Sequence, residues 1–199
     1  MFSSSAALPW TPPRGPRVSH APSADVSVRI AWADDADAIA AVQVRAWRVL
    51  YADVVPPEAL PSDPEPVAAA WRGSLGKPDD ARNRVLVALE RNRVTGFALT
   101  GPASDPDADP IADGELSELT LDPAERGKGH GSRLLQAAVD TLAADRFTRA
   151  VSWVIATDDD HRRFLTEAGW APDGAHRELD LDGTGTTTVK QVRLHTAIG

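Results

Sequence analysis

GELSELTLDPAERGKGHGSRLL, running from Gly114 to Leu135, changes its periodicity twice. Leu119 and Leu121 flank Thr120 at period two, which is strand patterning. Asp122-Pro123 ends the strand, because proline has no N–H to give to a ladder. Arg126, Gly127, Lys128, Gly129, His130, Gly131 and Ser132 follow as a glycine-rich turn, and then Leu134, Leu135, Ala138, Val139 and Leu142 share one helical face. Alternate glycines let backbone N–H groups converge on one point. A helix start adds unpaired donors and a partial positive charge, so strand, turn and helix together make an anion site suited to a pyrophosphate.

The turn lacks the G-x-x-x-x-G-K-[ST] of a phosphate loop and the third glycine of a G-x-G-x-x-G dinucleotide fingerprint. It fits R/Q-x-x-G-x-G/A through Arg126, Gly129 and Gly131, behind an E-L-x-x-L-x-V-like strand and Pro123. In these residues the chain resembles the GNAT superfamily of acetyl-CoA-dependent N-acyltransferases. The resemblance implies an α/β (α+β) domain with a mixed central sheet of about six to seven strands flanked by about four helices. It also implies acetyl-CoA as co-substrate and a primary amine, of a small molecule or a protein, as acceptor.

Composition sets outer bounds. With 199 residues and 42% hydrophobic content, the chain suits one core-bearing domain with a tail. The absence of cysteine excludes disulfides, thiolate zinc sites and a cysteine nucleophile. A formal net charge of −8 argues against nucleic acid and leans towards a cationic or amine-bearing acceptor. No apolar run approaches membrane-spanning length and no signal-peptide core is present, so a cytoplasmic location and no membrane partner are expected. Arginine-, alanine- and aspartate-rich usage resembles a GC-rich bacterial genome.

Residues 1–24 are rich in Ser, Pro and Ala and read as a disordered or extended tail before a domain at 25–199. Trp10 could pin that tail to a groove, and a homodimer would supply one on the partner subunit. Val26–Ala31 reads as a strand, Ala36–Leu50 as an amphipathic helix, and Pro66–Ser74 as a short helix. Arg84–Leu89 and Val94–Thr100 read as a hairpin. The acidic stretch Gly101–Asp113 reads as a solvated loop, its prolines and missing closing glutamate speaking against calcium. Ala150–Ile155 reads as a strand, Thr157–Ala168 as a helix ended by Gly169, and Glu178–Leu181 with Val189–Leu194 as two last strands. The order βααβββαβαββ is that of the GNAT fold, over about residues 26–195.

Acyl transfer to an amine needs a neutral nucleophile, a donor for the oxyanion and an exit for the thiolate. By resemblance, Leu119, Thr120 and Leu121 pair with the pantetheine arm as an added strand, with an N–H near Leu119 facing the thioester oxygen. Glu115 and Glu118 are the candidate bases. An unbulged strand places them on opposite faces, so only one reaches a given site. A water chain is the alternative. The helix after Thr157 resembles the family's N-x-x-A-x-x-F-Y-x-x-x-G-F/W motif at Phe164, Gly169 and Trp170. It departs at Asp158, His161 and Leu165, the last replacing the tyrosine that protonates the thiolate in many relatives. Tyr51 is then a candidate acid, and Trp47 with Tyr51 a candidate acceptor wall, Trp47 serving equally well as core packing. His130 reads as a spacer in the turn, and no metal is expected. A non-catalytic acyl-CoA sensor is the rival reading, motivated by Leu165. O-acyl transfer or a longer acyl donor is the third.

Overall fold

The computed structural model describes residues 26–199, so the expected tail and Trp10 lie outside the described residues. Strands and helices follow the anticipated order: β1 (Val26–Ile30), α1 (Ala36–Leu50), α2 (Glu65–Gly76), β2 (Arg84–Glu90), β3 (Arg93–Pro102), β4 (Asp113–Leu121), α3 (His130–Ala144), β5 (Arg149–Ile155), α4 (Asp159–Glu167), β6 (Ala171–Asp180) and β7 (Thr188–Ala197). The strands form one mixed sheet in the order β1-β2-β3-β4-β5-β7-β6. β4 and β5 are its parallel pair, joined through α3. Arg91 and Asn92 both take positive φ, 49° and 66°, which is the two-residue turn that matches strand twist in the β2–β3 hairpin.

Apolar residues on the two faces of the sheet make two cores. On one face, Ile39, Ala40 and Val42 of α1 and Trp71 of α2 pack on Val87, Leu89 and Phe97. On the other, Leu134, Leu135, Ala138 and Leu142 of α3 and Leu165 of α4 pack on Leu86, Ala98, Leu116 and Leu194. Gly114 is required where α3 returns to the sheet, since a Cβ there would lie 2.7 Å from Leu142 and 2.9 Å from Phe147. β6 is longer than the expected Glu178–Leu181. It is a mostly exposed edge strand, so its first half carries no apolar alternation to read.

Two features position the site. First, β4 and β5 pair at only three positions, Asp113–Arg149, Gly114–Ala150 and Glu115–Val151. Beyond Glu115 the strands part. β5 stays paired with β7 along its length, from Arg149 to Ile155, while among the described residues the facing edge of β4 from Leu116 to Leu121 has no strand partner. Ser152 Oγ donates to the Leu116 carbonyl at 2.8 Å where the fork opens.

Second, β4 is bulged. Glu118 faces Leu99 and Leu116 faces Thr100 on β3, leaving Ser117 as the extra residue. Glu115 faces Gly101 in turn. Leu99 and Gly101 are two residues apart, so their partners Glu115 and Glu118 share a face, the one covered by α1 and α2. The expectation of opposite faces is therefore wrong, because it assumed an unbulged strand.

The acidic segment between β3 and β4 is an exposed loop over most of its length, as expected, but the Asp105 side chain within it is buried. Arg193 on β7 meets Asp107 (2.7 Å), Asp173 (2.8 Å) and Asp105 (3.2 Å), and Trp153 Nε1 donates to the Asp105 carboxylate at 2.9 Å. Arg177 stacks over the Trp153 ring, 4.3 Å from its centroid. Asp105 thus answers a buried arginine rather than water, while Asp107 reaches the same arginine from solvent. Among the described residues no helix is long and apolar enough to cross a membrane.

Candidate active site at the fork of the sheet

The turn after β4 is rich in glycine and anchored from beneath by ion pairs. Asp122 closes the strand, accepting from Ala124 N at 3.1 Å and from Arg45 of α1 at 2.7 Å. Glu125 is buried beneath the turn and held by Lys128 and Arg93, each at 2.7 Å, which keep its carboxyl down at about 2. Arg126, Gly127, Lys128, Gly129 and Ser132 are exposed. Gly127 and Gly129 take φ of 75° and 81°, the left-handed region open to glycine. No side chain caps the start of α3. Among the described residues its first-turn amides thus have no side-chain acceptor. Gly131 has a packing reason as well, because a Cβ would lie 3.2 Å from Leu121 and 3.5 Å from Phe164.

His130 is more than a spacer. Its ring is buried with both nitrogens unpartnered, and Nε2 lies 3.9 Å from Glu90 and 4.0 Å from Glu125. These three side chains bring potential ligand atoms within 4.8 Å of one another. The carboxylates are already engaged by Arg93 and Lys128.

Between turn and fork, Leu119 and Leu121 send their side chains into the core beneath α3. What they leave at the surface of the fork is backbone. Thr120 points the other way and donates to Glu118 Oε1 at 2.9 Å. On α4, Asp158 accepts from His161 N at 3.0 Å and so caps the helix. Burial lowers the basicity of His161, against the pull of Asp158 and with a smaller push from nearby Arg126. Leu165 is fully buried in the core.

On the α1/α2 face a cavity of about 1130 Å³ reaches down to Glu115 and Ser117 at the fork. Trp47 lines it, as does Trp71, whose ring meets Phe97 edge-on at 5.4 Å. Glu115 is buried, and that burial raises its pKa, an effect that neighbouring Ser104 partly offsets. Glu118 is also raised by burial, against hydrogen bonds from Thr120 and Gln43. It lies behind Gln43, whose Nε2 is 3.4 Å from Glu118 Oε1. Tyr51 ends α1 beside it, the phenol pushed up by burial first and by the Glu118 charge second. The two carboxylates on one face thus differ in access: Glu115 meets the cavity, while Glu118 meets Gln43, Thr120 and Tyr51.

Gln43 was not among the sequence candidates. Its signal was there: Ile39, Gln43 and Trp47 recur at four-residue spacing on the inward face of α1. A lone amide in an apolar stripe implies a buried partner.

Comparison with known proteins agrees with this architecture. The model of the acetyltransferase (GNAT) family matches residues 37–170. No curated protein matches the chain by sequence. Among solved structures, an N-acetyltransferase from Staphylococcus aureus Mu50 is 16% identical with a TM-score of 0.64, over 88% of this chain and 99% of that one. The ribosomal-protein-alanine N-acetyltransferase from Brucella melitensis is 18% identical with a TM-score of 0.64, over 86% and 99%. The PaiA N-acetyltransferase from Thermoplasma acidophilum, in complex with coenzyme A, is 17% identical with a TM-score of 0.61, over 87% and 99%.

Proposed function

The chain belongs to the acetyltransferase (GNAT) family, and from that premise we propose that it transfers an acetyl group from acetyl-CoA to a primary amine, with Glu115 as the base. The observation that carries the reading is the fork. An unpaired backbone edge of β4 runs from the anion turn to the point where Glu115 meets a cavity on the opposite face.

The residues present fit the co-substrate. The open amides of the turn at Arg126–Ser132 hold the pyrophosphate, and the free edge of β4 at Leu119, Thr120 and Leu121 holds the pantetheine arm through backbone bonds. Phe164 packs against the turn, and Asp158 caps the helix beside it. Acetyl-CoA supplies an acyl group already activated as a thioester, so no covalent enzyme intermediate is needed.

The protein's own part is to bring the acceptor to the fork and make it neutral. Glu115 takes a proton from the ammonium in the cavity, and its raised pKa suits it to hold that proton. As the C–N bond forms and the C–S bond breaks, a backbone N–H near Leu119 faces the oxyanion, the new amide nitrogen gives its second proton to solvent, and solvent protonates the departing thiolate. Trp47 walls the acceptor. The cytoplasm, where acetyl-CoA is available, is the matching site of action.

The test is release of free thiol from acetyl-CoA over a panel of amines, alongside calorimetry with coenzyme A. Binding with turnover supports the transferase. Tight binding without turnover of any amine would favour an acyl-CoA sensor.

A further inference from the structure

The cavity that leads to Glu115 has a chemistry of its own. One wall is a face of α2, where Val67 stands one turn before the adjacent pair Ala70 and Trp71. The facing wall is sheet, with Val85 and Leu99. Trp47 closes it from α1. Trp71 is immobilised twice, by Phe97 at its ring and by Gln43, which accepts from Nε1 at 2.8 Å. An apolar wall fixed in advance gives up little freedom when a guest arrives.

Charge in this cavity is confined to its two ends. Glu115 is the buried carboxylate among the described lining residues, and it sits at the floor. Lys77 and Asp79 are exposed and lie at the rim, where their opposite formal charges leave no net attraction for a second cation. Arg84 is turned to Asp145, 3.2 Å away. Between floor and rim, no carboxylate stands on the α2 wall to meet a second cation. A buried ammonium without a partner is strongly disfavoured.

We infer that the acceptor is a monocationic amine with an apolar aliphatic or aryl body, and that polyamines, aminoglycosides and other polycations are excluded. This inference rests on the N-acetyltransferase reading and names the substrate class of that same site. The single ammonium goes to Glu115 and the body lies between Trp47, Trp71 and Val67. Each methylene placed there leaves water, which is worth about a fourfold gain per group.

The experiment uses the full chain with acetyl-CoA. Acceptors are the n-alkylamines from propyl to hexyl, phenylethylamine, 1,6-diaminohexane, spermidine, kanamycin and an alanine-headed peptide. kcat/KM is read from thiol release, and amine affinity is read separately by calorimetry in the presence of coenzyme A. The expected result is a rise of about fourfold per methylene along the alkyl series, mainly through KM. Hexylamine should exceed 1,6-diaminohexane by tenfold or more. A second variant places a carboxylate on the exposed wall position: Ala70→Glu should narrow or invert the preference between hexylamine and 1,6-diaminohexane.

Preference of the wild-type protein for spermidine, kanamycin or the peptide overturns the inference and leaves the transferase reading intact. A flat alkyl series, or no binding of any monoamine, also overturns it. Monoamines that bind with the chain-length slope but are never acetylated support the inference about the cavity and instead defeat the transferase reading.

Discussion

The indole Nε1 of Trp71 donates to Oε1 of Gln43 at 2.8 Å. That bond settles which end of the Gln43 amide is which, so its NH₂ is the group directed at Glu118, 3.4 Å and 3.5 Å from the two carboxylate oxygens. A helix–helix contact between α1 and α2 thereby orients a residue of the central strand. Trp71→Phe leaves a buried carbonyl oxygen without its donor, at a cost of about 1–3 kcal/mol. Adding Gln43→Leu removes the stranded group as well. The double variant should therefore be less destabilised than the sum of the singles, as measured by urea unfolding. Strict additivity would show that the pair is not coupled.

The buried glutamates predict a stability that falls as pH rises. Glu115 and Glu118 are both raised above the ordinary glutamate value, burial being the first cause in each. The native state therefore binds their protons more tightly than the unfolded chain does. Their contribution is full below the unfolded value of ~4.3 and is lost as pH climbs through the folded values. Glu115→Gln and Glu118→Gln should accordingly raise Tm at pH 8, with the gain vanishing near pH 4. For activity the sign reverses. The base must be ionised, so kcat/KM rises with pH through the Glu115 pKa, and Glu115→Gln should cost about 10²–10⁴-fold. A wild-type rate in Glu115→Gln, with the rate instead lost in Glu118→Gln, would move the base to Glu118.

Much of this was legible in the sequence because its signals are local. Period-two runs, Pro123, the glycines at 127, 129 and 131 and the helical stripe of α3 are read within a few residues of each other. The fork was implied only through resemblance, since strand separation depends on where β5 stops pairing. The Ser117 bulge depends on register against β3, and nothing in SELTL marks an extra residue. The same holds for the contacts of Asp105 and Asp107. Their composition reads as solvent-facing loop, and their partner Arg193 lies 88 residues beyond Asp105 in the chain.

Arg193 gives that long-range contact a measurable size. It is the cation shared by Asp105, Asp107 and Asp173, and it holds the segment that carries Ser104 beside Glu115. Arg193→Met keeps the stem and removes the charge, taking from the buried Asp105 side chain its nearer cation. Breaking a buried pair from one side costs about 3–5 kcal/mol. Arg177, 3.7 Å from Asp105, compensates in part, so the lower end is expected. Urea unfolding at pH 7 reads the loss. Because Arg193 is the chief cause holding Asp107 below its ordinary value, and a further cause after the Ala175 amide for Asp173, the penalty should shrink as pH falls and they are protonated. A penalty independent of pH would mean that lost packing, not charge, carries it.

Tyr51 can be followed alone, because it is the single tyrosine of the chain. Its phenol is pushed up by burial and, second, by the Glu118 carboxylate. Absorbance titration of the phenolate therefore reports this one group, and Glu118→Gln should bring its pKa down by removing the neighbouring charge. The same pairing bears on the leaving group. Leu165 has no proton to give and is fully buried in the core. A phenol that keeps its proton well into alkaline solution is available as an acid. A coenzyme A thiol near ~8.5 is nevertheless a tolerable leaving group at neutral pH, so no strong acid is required. With solvent as the donor, Tyr51→Phe should lower kcat by no more than a few-fold and leave the alkaline limb of the kcat–pH profile in place. A hundredfold loss together with disappearance of that limb would make Tyr51 the acid, and the limb should then move in parallel with the phenol pKa in Glu118→Gln.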